Sequence, residues 1–308
     1  MIETLRNAGF EVYPHSIAEA GNAGFCIVRR GEEKLVAAIG VEIWDGAERI
    51  AEVDGRPVLA SPLNHAAAEA VRRALPWTAP GCVGLKTSAG LGDRLGLATP
   101  GHIRAIRDKG VQAVLAQQSI REMARTHRTP EDVMDAATFG VLEEGFRDGF
   151  GSDADHLQRP EDIDATAEAG FTMFTIDPGA HVVNEADSLS ATELETRFAA
   201  LDFETLQTTP AEMRTRYDGE RFALNGGATT CFRDGDLLRA AVKYGSAVAH
   251  TVKMYRHLCD TVSGEFELEV SVDETDSPTS TAEHYFFAAE LKRLDVEWVS
   301  MAPRFVGR

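Results

Sequence analysis

The sequence predicts an α/β fold: a barrel of the TIM type, preceded by a small N-terminal α+β unit. From Cys82 onward, short apolar runs alternate with segments of helical pattern, which is typical of parallel strands connected by helices. Such strands form either a closed barrel or an open doubly wound sheet. An open sheet would carry a glycine-rich phosphate fingerprint after its first strand. Gly90-x-Gly92 lacks the third glycine of that fingerprint, so a barrel is favoured.

Polar residues collect at the carboxyl ends of the predicted strands. Ligands bind at this edge in barrels and in open parallel sheets alike. The sequence therefore predicts a functional site where these ends meet. The residues at the strand ends are Lys86, Gln117, Asp155, Asp177, Asp273 and Arg304.

The first 80 residues form the predicted N-terminal unit. Apolar runs at 25–28 and 34–39, joined by a polar turn, predict a β-hairpin. A third apolar run at 56–60 follows an Asp-Gly turn, and an alanine-rich helix is predicted at 66–75. No residue pattern in this unit indicates chemistry, so we expect it to serve packing or the assembly of an oligomer.

Residues 81–308 form the predicted barrel. Thr99-Pro100, Thr129-Pro130 and Pro160 each open a predicted helix, because proline is favoured in the first helical turn. A helical region follows at 190–262, and Thr279 or Ser280 caps a helix that runs to Leu294. Six strands are predicted, at 83–87, 111–116, 155–157, 171–179, 266–274 and 296–303. Six is fewer than the eight of a closed barrel, which leaves two alternatives: a chain without two of its strands, or an open sheet.

One short segment brings three ionisable groups together. Gly149 and Gly151 permit a sharp turn just before Asp153, Asp155 and His156. Carboxylate oxygens and an imidazole nitrogen suit a divalent metal with a general base beside it. The alternative is a solvated acidic loop that caps a helix.

The composition limits the classes of ligand. The 308 residues carry a formal net charge of −18, which repels nucleic acid and anionic membranes. No apolar run approaches the roughly 18 residues that span a bilayer, and the acidic N-terminus lacks the apolar region of a signal peptide. Four cysteines without a CxxC pair favour reduced thiols. We therefore expect a cytoplasmic protein that acts on a small molecule.

Five stretches resemble the tagaturonate/fructuronate epimerase family of uronate catabolism. In order they are TSAGLGDRLGLATPGH at 87–102, AQQSIREM at 116–123, DADHL at 153–157, VDET at 272–275 and APRF at 302–305. The resemblance spans about residues 80–308. It implies a metal-dependent (β/α)8 barrel that interconverts two ketouronates differing at one hydroxyl-bearing carbon.

The resemblance also implies what this sequence lacks. Family members continue through two further barrel strands, each expected to end in a histidine, and neither strand is present here. We therefore expect a barrel without its last two strands and an incomplete set of metal ligands. The expected cofactor is a divalent metal; Zn, Mn, Ni and Co all accept nitrogen and oxygen ligands.

The chemistry of such a substrate indicates the roles of individual residues. The inverted carbon lies β to the ketone, so a retro-aldol route is expected: a base takes the hydroxyl proton, the metal holds the enolate, and re-addition occurs on the other face. His156 is expected to bind the metal and Asp155 to act as the base. One of Asp273 and Glu274 is the expected acid/base partner, because successive strand residues point to opposite faces. Glu269 is expected on the same face of the strand as Asp273, because alternate residues of a strand share a face.

An anionic substrate in so acidic a protein requires local cations. Guanidinium and ammonium groups bind carboxylates, and the alternative for each of these residues is a surface salt bridge. Asp177, which precedes Pro178-Gly179, also fits a turn former. The expected substrate-binding residues are Lys86, Arg94, Gln117, Arg121, Asp177 and Arg304.

Three functions are consistent with these sequence features. The leading interpretation is a metal-dependent ketouronate epimerase that binds its substrate without nucleic acid or membrane. A metal-dependent ketose aldolase or isomerase of the same barrel class would use the same groups, but the aldolase would release three-carbon fragments. The third is a non-catalytic fragment. Assembly as a homo-oligomer is left open, and His250 and His257 are expected to make interhelical contacts.

Overall fold

The computed structural model describes residues 1–233 and 235–307. The chain forms two compact units. The first comprises Met1–Asp155 and Ala165–Met173, and the second comprises His156–Asp164 and Phe174–Arg308. The boundary expected after residue 80 stays a prediction.

An antiparallel sheet of six strands opens the first unit, after helix α1 (Ile2–Asn7). The predicted hairpin is confirmed, since β3 and β4 pair antiparallel with Cys26 opposite Ala37. Three strands, β1, β2 and β5, were not predicted. Strands β1 and β2 have only two and three residues, and the charged residues of β5 hide any apolar alternation. The strands are β1 (Glu11–Val12), β2 (Ala18–Ala20), β3 (Ala23–Arg30), β4 (Glu33–Ile39), β5 (Glu48–Val53) and β6 (Arg56–Pro62). Their order is β1-β3-β4-β6-β5, with β2 paired to β3.

Both faces of this sheet are buried. Phe25 and Ile27 of β3 join a core cluster with helix α2 (His65–Ala74), the predicted alanine-rich helix. Cys26 and Val28 join a second cluster, which includes Leu5 of α1. Successive residues of one strand thus belong to different cores, as the two-residue period of a strand requires.

A second sheet contains the strands that end in polar residues. The later strands of the chain are β7 (Ser88–Gly90), β8 (Gln112–Ser119), β9 (Phe150–Leu157), β10 (Met173–Ile176), β11 (Arg221–Ala223), β12 (Thr229–Cys231), β13 (Glu267–Val272) and β14 (Ser300–Pro303). Six of them form one sheet in the order β14-β13-β10-β9-β8-β7. The pairs β7–β8, β8–β9 and β13–β14 are parallel.

The prediction of a TIM-type (β/α)8 barrel is wrong. Strands β7 and β14 stand at the two ends of the strand order, so the sheet is open throughout the described residues. Closure requires the two edge strands to pair with each other. Alternation of strand and helix along a chain predicts parallel pairing but says nothing about whether the edges meet. The fold is α/β, with an open six-stranded sheet.

The strand predicted at 83–87 is also wrong. Only Val83 is buried in this stretch, and Leu85 is 86% exposed. The backbone turns here and first pairs at Ser88, opposite Gln112. Lys86 therefore precedes β7 instead of ending it.

The remaining helices follow their capping signals. Thr129 caps α5 in a reciprocal capping box with Asp132, and Ser280 caps α10 in the same way with Glu283. The helices are α3 (Thr99–Ile106), α4 (Ile120–Thr126), α5 (Pro130–Glu144), α6 (Pro160–Glu168), α7 (Ala191–Ala199), α8 (Pro210–Tyr217), α9 (Asp236–Thr261) and α10 (Thr281–Arg293). Among the residues that the structure describes, no helix is long and apolar enough to cross a bilayer.

The predicted helical region at 190–262 contains an unpredicted hairpin. Strands β11 and β12 pair only with each other, around a turn at Asn225–Gly227. Each strand has three residues, which is too short for a recognisable period. His257 on α9 contacts Asp164 on α6, with 2.6 Å between Nε2 and Oδ1, which confirms its predicted interhelical contact.

Candidate functional site

In the second unit, His156 and Asp177 face each other at the carboxyl ends of β9 and β10. Nδ1 of His156 lies 3.4 Å from Oδ2 of Asp177. His156 has a φ of 55°, a left-handed conformation that ends the regular strand geometry. The backbone N–H of Asp177 donates to the Leu157 carbonyl at 2.9 Å. The turn of the backbone at His156 and this hydrogen bond place the imidazole beside the carboxylate.

Asp177 is buried and anchored by hydrogen bonds. Its Oδ2 accepts from Nε2 of Gln158 at 2.8 Å, and its Oδ1 accepts from the backbone N–H of Gly179 at 2.8 Å. Burial alone raises the pKa of this carboxyl, but the hydrogen bonds from His156, Gln158 and Gly179 outweigh it and lower the pKa below its usual 3.8. Asp177 is therefore ionised at neutral pH.

The ionised carboxylate has a consequence for the imidazole. A carboxylate accepts hydrogen bonds, so it favours the proton of His156 on Nδ1. In that tautomer Nε2 carries the lone pair of the neutral imidazole, the form in which a histidine acts as a base or a metal ligand. Gly179 makes room for this arrangement, because a Cβ at that position would lie 2.9 Å from Oδ1 of Asp177. The turn-former interpretation of Asp177 and a site role are thus compatible.

Two further histidines lie near this pair. His181 and His250 stack with ring centroids 4.1 Å apart, so His250 of α9 contacts the 3₁₀ helix Gly179–His181. His250 also has a hydrogen bond with the backbone of Gln158, and its Nε2 is buried without a hydrogen-bond partner. Burial, and next the neighbouring His181, lower the pKa of His250 to about 4. His250 is therefore neutral at neutral pH.

In the first unit, Gln117 pairs with a carboxylate. Nε2 of Gln117 donates to Oδ2 of Asp153 at 3.1 Å, and the two residues are opposite each other in the β8–β9 register. Asp153 is 4% exposed, and Asp155, two residues further along β9, is half-buried. Asp155 is in register with Ser119. Asp153 was not among the predicted site residues, although its alternation with Asp155 places both on the same face.

The predicted acid/base partners follow β13 in the second unit. Asp273 and Glu274 are both exposed, and Oδ1 of Asp273 accepts a hydrogen bond from Oγ of Ser271 at 2.7 Å. Glu269 is half-buried within β13. Which of the two carboxylates acts in a site stays a prediction.

The predicted cations lie in different surroundings. Lys86 lines a surface cavity with Asp108 and Asp148, before the start of β7 and therefore away from the carboxyl ends. Arg94 forms a salt bridge with Glu122 at the start of α4. Arg121 and Arg304 are exposed; the backbone N–H of Arg304 donates to Oγ1 of Thr279 at 3.1 Å. Their role in binding a substrate carboxylate stays a prediction.

The stretch at 87–102 owes its conformation to a buried carboxylate. Oδ1 of Asp93 accepts from the backbone N–H of Leu97 at 3.0 Å, and Oδ2 accepts from those of Ala98 and Thr99 at 2.7 and 2.9 Å. Arg128 donates to the Asp93 carbonyl at 2.6 Å. Asp93 thus supports the start of α3, a role that sequence reasoning missed.

The donor set for a metal can be judged from these positions. His156 and Asp177 offer a nitrogen and a carboxylate side by side. Across residues 1–233 and 235–307, however, no three His, Cys, Asp or Glu side chains are grouped closely enough to hold a metal ion. Structural and catalytic zinc sites in proteins use three or four protein ligands. The residues described here therefore do not fit a complete metal site.

Sequence comparison identifies relatives of the chain. The sequence pattern of the tagaturonate epimerase family matches residues 13–308. A Thermotoga maritima protein named tagaturonate/fructuronate epimerase is 39% identical over 301 residues, which cover 97% of this chain and 61% of that protein.

Solved structures give the same result. The fructuronate-tagaturonate epimerase UxaE from Cohnella laeviribosi, in its native form and with glycerol, matches this chain with a TM-score of 0.88 at 33% identity. The match covers 100% of this chain and 61% of that chain. This chain thus spans about three fifths of the length of the relatives that it matches. From the family match and these likenesses, we conclude that the chain belongs to the tagaturonate epimerase family.

Proposed function

We propose that this chain takes part in the interconversion of D-tagaturonate and D-fructuronate, as an epimerase of hexuronate catabolism. The observation that carries the proposal is the His156–Asp177 pair, which lies where the family resemblance expects the reactive centre. The names of the Thermotoga and Cohnella relatives supply the substrate. Family membership supports the reaction class, an isomerisation at one hydroxyl-bearing carbon.

The proposed reaction is a retro-aldol cleavage followed by re-addition. A base removes the proton of the hydroxyl group on the inverted carbon. The bond from this carbon to the carbon next to the ketone then breaks, which gives an aldehyde and an enolate. The aldehyde turns, the bond forms again on its other face, and the proton returns to the oxygen. No atom is gained or lost, so no co-substrate is required.

In this reaction, the predicted site residues transfer protons, position His156 or bind the substrate. Asp155 is the base, and either Asp273 or Glu274 returns the proton. Asp177 orients His156, and its contact with that imidazole supports this role over direct substrate binding. Arg94, Arg121, Arg304 and Gln117 keep the substrate-binding roles expected from the sequence, whereas Lys86, which precedes β7, has no such role in the proposal.

A divalent metal, Zn, Mn, Ni or Co, is also part of the proposal, with His156 as its ligand from this chain. The described residues do not complete the ligand set of such a metal. Conversion measured with and without added divalent metal tests whether the reaction requires it.

The test compares His156→Ala with the wild-type chain in the conversion of tagaturonate, followed by NMR with and without added divalent metal. We expect the variant to lower kcat/KM by a factor of about 100 or more, because a proton-transfer or metal-binding group is lost. His257→Ala is the matched control: that histidine lies on α9, is bonded to Asp164, and is expected to leave the rate unchanged.

Three outcomes would contradict the proposal. A wild-type chain that converts no tagaturonate in any metal would favour the non-catalytic fragment. Three-carbon products would favour the aldolase. Equal rates for the wild-type chain and His156→Ala would show that the His156–Asp177 pair takes no part in the reaction.

A further inference from the structure

Lys243 is a buried cation in the middle of helix α9. Its side chain is 0% exposed, and its ammonium group has three oxygen partners. Nζ lies 3.0 Å from Oδ2 of Asp187, 2.8 Å from Oγ of Ser277 and 3.0 Å from Oε1 of Glu283. Burial lowers the pKa of Lys243, but the bonds to Asp187 and Glu283 outweigh it and raise the pKa. Lys243 is therefore fully charged at neutral pH.

The three partners belong to different parts of the second unit. Asp187 lies in the post-β10 segment, residues 177–188, which begins with Asp177. Ser277 lies in the post-β13 segment, residues 273–280, which begins with Asp273 and Glu274. Glu283 lies in the first turn of α10. Lys243 is thus bonded to the segments that follow two neighbouring strands of the sheet.

The two segments also bind each other around this cation. Oγ of Ser277 donates to Oδ2 of Asp187 at 2.6 Å, and the backbone N–H of Asp276 donates to Oδ1 of Asn184 at 3.0 Å. The backbone carbonyl of Lys243 accepts from the N–H of Val183 at 3.0 Å. These bonds leave the two segments little freedom to move apart while the ammonium group is in place.

A buried cation is a poor source of stability. Removing it from water costs several kcal/mol, which its partners only offset, so a well-packed apolar residue often stabilises a fold as much or more. An ammonium group, unlike an apolar residue, forms directional hydrogen bonds. Its three N–H donors fix the positions of three oxygens.

We propose that Lys243 is a positioning residue that fixes the distance between the post-β10 segment, with Asp177, and the post-β13 segment, with Asp273 and Glu274. Its effect on catalysis rests on the proposed function. Its effect on the two segments does not.

The test measures two quantities on the same variants. Amide hydrogen exchange, followed by mass spectrometry, reports the opening of the two segments. Steady-state kinetics with tagaturonate reports kcat and KM separately. The variant is Lys243→Met, which keeps the length of the apolar stem. The matched control is Arg293→Met, which removes a cation bonded to the fully buried Glu290 on α10 and to the carbonyl of Leu206, away from both segments.

We expect Lys243→Met to speed exchange in both segments by a factor of about ten, and Arg293→Met to change it by less than about twofold. In an active chain, Lys243→Met is expected to lower kcat at least about tenfold with little change in KM, since misplacing an acid/base group impairs the transition state more than binding. A general loss of stability would affect both variants alike.

Ser277→Ala covers the case in which Lys243→Met does not fold. It removes the bond between the two segments and leaves the ammonium group paired with its two carboxylates. We expect a smaller acceleration of exchange, confined to the same segments.

Unchanged exchange in both segments, in Lys243→Met or, if that variant does not fold, in Ser277→Ala, would overturn the proposal. So would faster exchange together with a wild-type kcat. A wild-type chain without turnover would refute the proposed function alone, and the exchange data would then decide the role of Lys243.

Discussion

At the scale of single residues, two buried carboxylates organise their surroundings in the same way. Asp93 and Asp177 each accept backbone N–H groups of the loop that follows them, Asp93 from 97–99 and Asp177 from Gly179. Such bonds favour the ionised carboxylate over the protonated one. Each loop conformation is therefore linked to one negative charge.

The charge of Asp93 predicts a pH dependence of stability. Burial raises the pKa of Asp93, but the hydrogen bonds from Leu97, Thr99 and Ala98 outweigh it and lower the pKa below 3.8. A carboxyl with a lowered folded-state pKa stabilises the fold above its ordinary pKa, and this contribution is lost as the pH falls through the folded-state value. We expect Asp93→Asn to reduce the free energy of unfolding by about 1–3 kcal/mol at pH 7.

Urea denaturation between pH 7 and pH 3 checks this expectation. The difference between the wild-type chain and Asp93→Asn should be constant near neutrality and shrink below about pH 4. A difference that stays constant down to pH 3 would show that the charge of Asp93 is not what supports the loop.

At the scale of elements, the local signals of turns and caps gave correct predictions, whereas the patterns of several short segments did not. The hairpin β3–β4 and the caps at Thr129 and Ser280 were predictable, because a turn or a cap depends on a few neighbouring residues. The stretch at 83–87 has the alternation of a strand, but the backbone turns there and β7 begins only at Ser88. The three-residue strands of the hairpin β11–β12 have no period.

The candidate site, like the fold, was predictable only in part from the sequence. The positions of His156 and Asp177 at strand ends follow from the α/β pattern. Gln158, His181 and Lys243 escaped notice because their roles depend on contacts between elements distant in the sequence. Only the folded chain brings Lys243 to Ser277.

The close packing of β7 on β8 gives a prediction for Gly90. A Cβ at this position would lie 2.3 Å from Oε1 of Gln117, the side chain that donates to Asp153. Because the contacted atoms are the end of a flexible side chain, Gly90→Ala is expected to move Gln117 away from Asp153 and to lower the free energy of unfolding by about 1 kcal/mol, the net contribution of one hydrogen bond. In a chain active on tagaturonate, KM should also rise.

Gly101→Ala is the matched control. Gly101 lies within α3, and a Cβ there would meet no atom within 4 Å. Alanine is the better helix former, so this variant is expected to gain about 0.5–1 kcal/mol. Equal stability of the two variants in urea denaturation would contradict the clash at Gly90.

At the scale of the whole molecule, the open sheet bears on metal binding. The expected barrel would have gathered ligands from strands all around its rim. The open sheet that is present ends at β7 and β14, and no three-ligand group occurs in residues 1–233 and 235–307. In the described residues, His156 has the carboxylate of Asp177 beside it, 3.4 Å away, without a three-ligand group around the pair.

This arrangement predicts weak metal binding. Titration calorimetry with Zn²⁺ or Mn²⁺ is expected to show no tight, stoichiometric site on this chain, since two protein ligands fall short of the three or four of known sites. His156→Ala should behave like the wild-type chain at micromolar metal. One tightly bound ion per chain, lost in His156→Ala, would show that further ligands come together in solution.

Helix α9 contacts the post-β10 segment through three residues. His250 stacks on His181, Lys243 bonds to Val183 and Asp187, and Arg239 donates to the carbonyls of Ala186 and Asp187. His250 and Lys243 are seven residues apart. Seven residues are close to two turns, so both side chains leave the helix on the same side, about 10 Å apart along its axis. The stretch between His181 and Asp187 is therefore a short loop whose two ends are both held by helix α9. Releasing one end alone gains little conformational entropy, because the other end still confines the chain. We expect this loop to open in a single cooperative event that breaks its contacts with α9 together, with one exchange rate shared by all its amides.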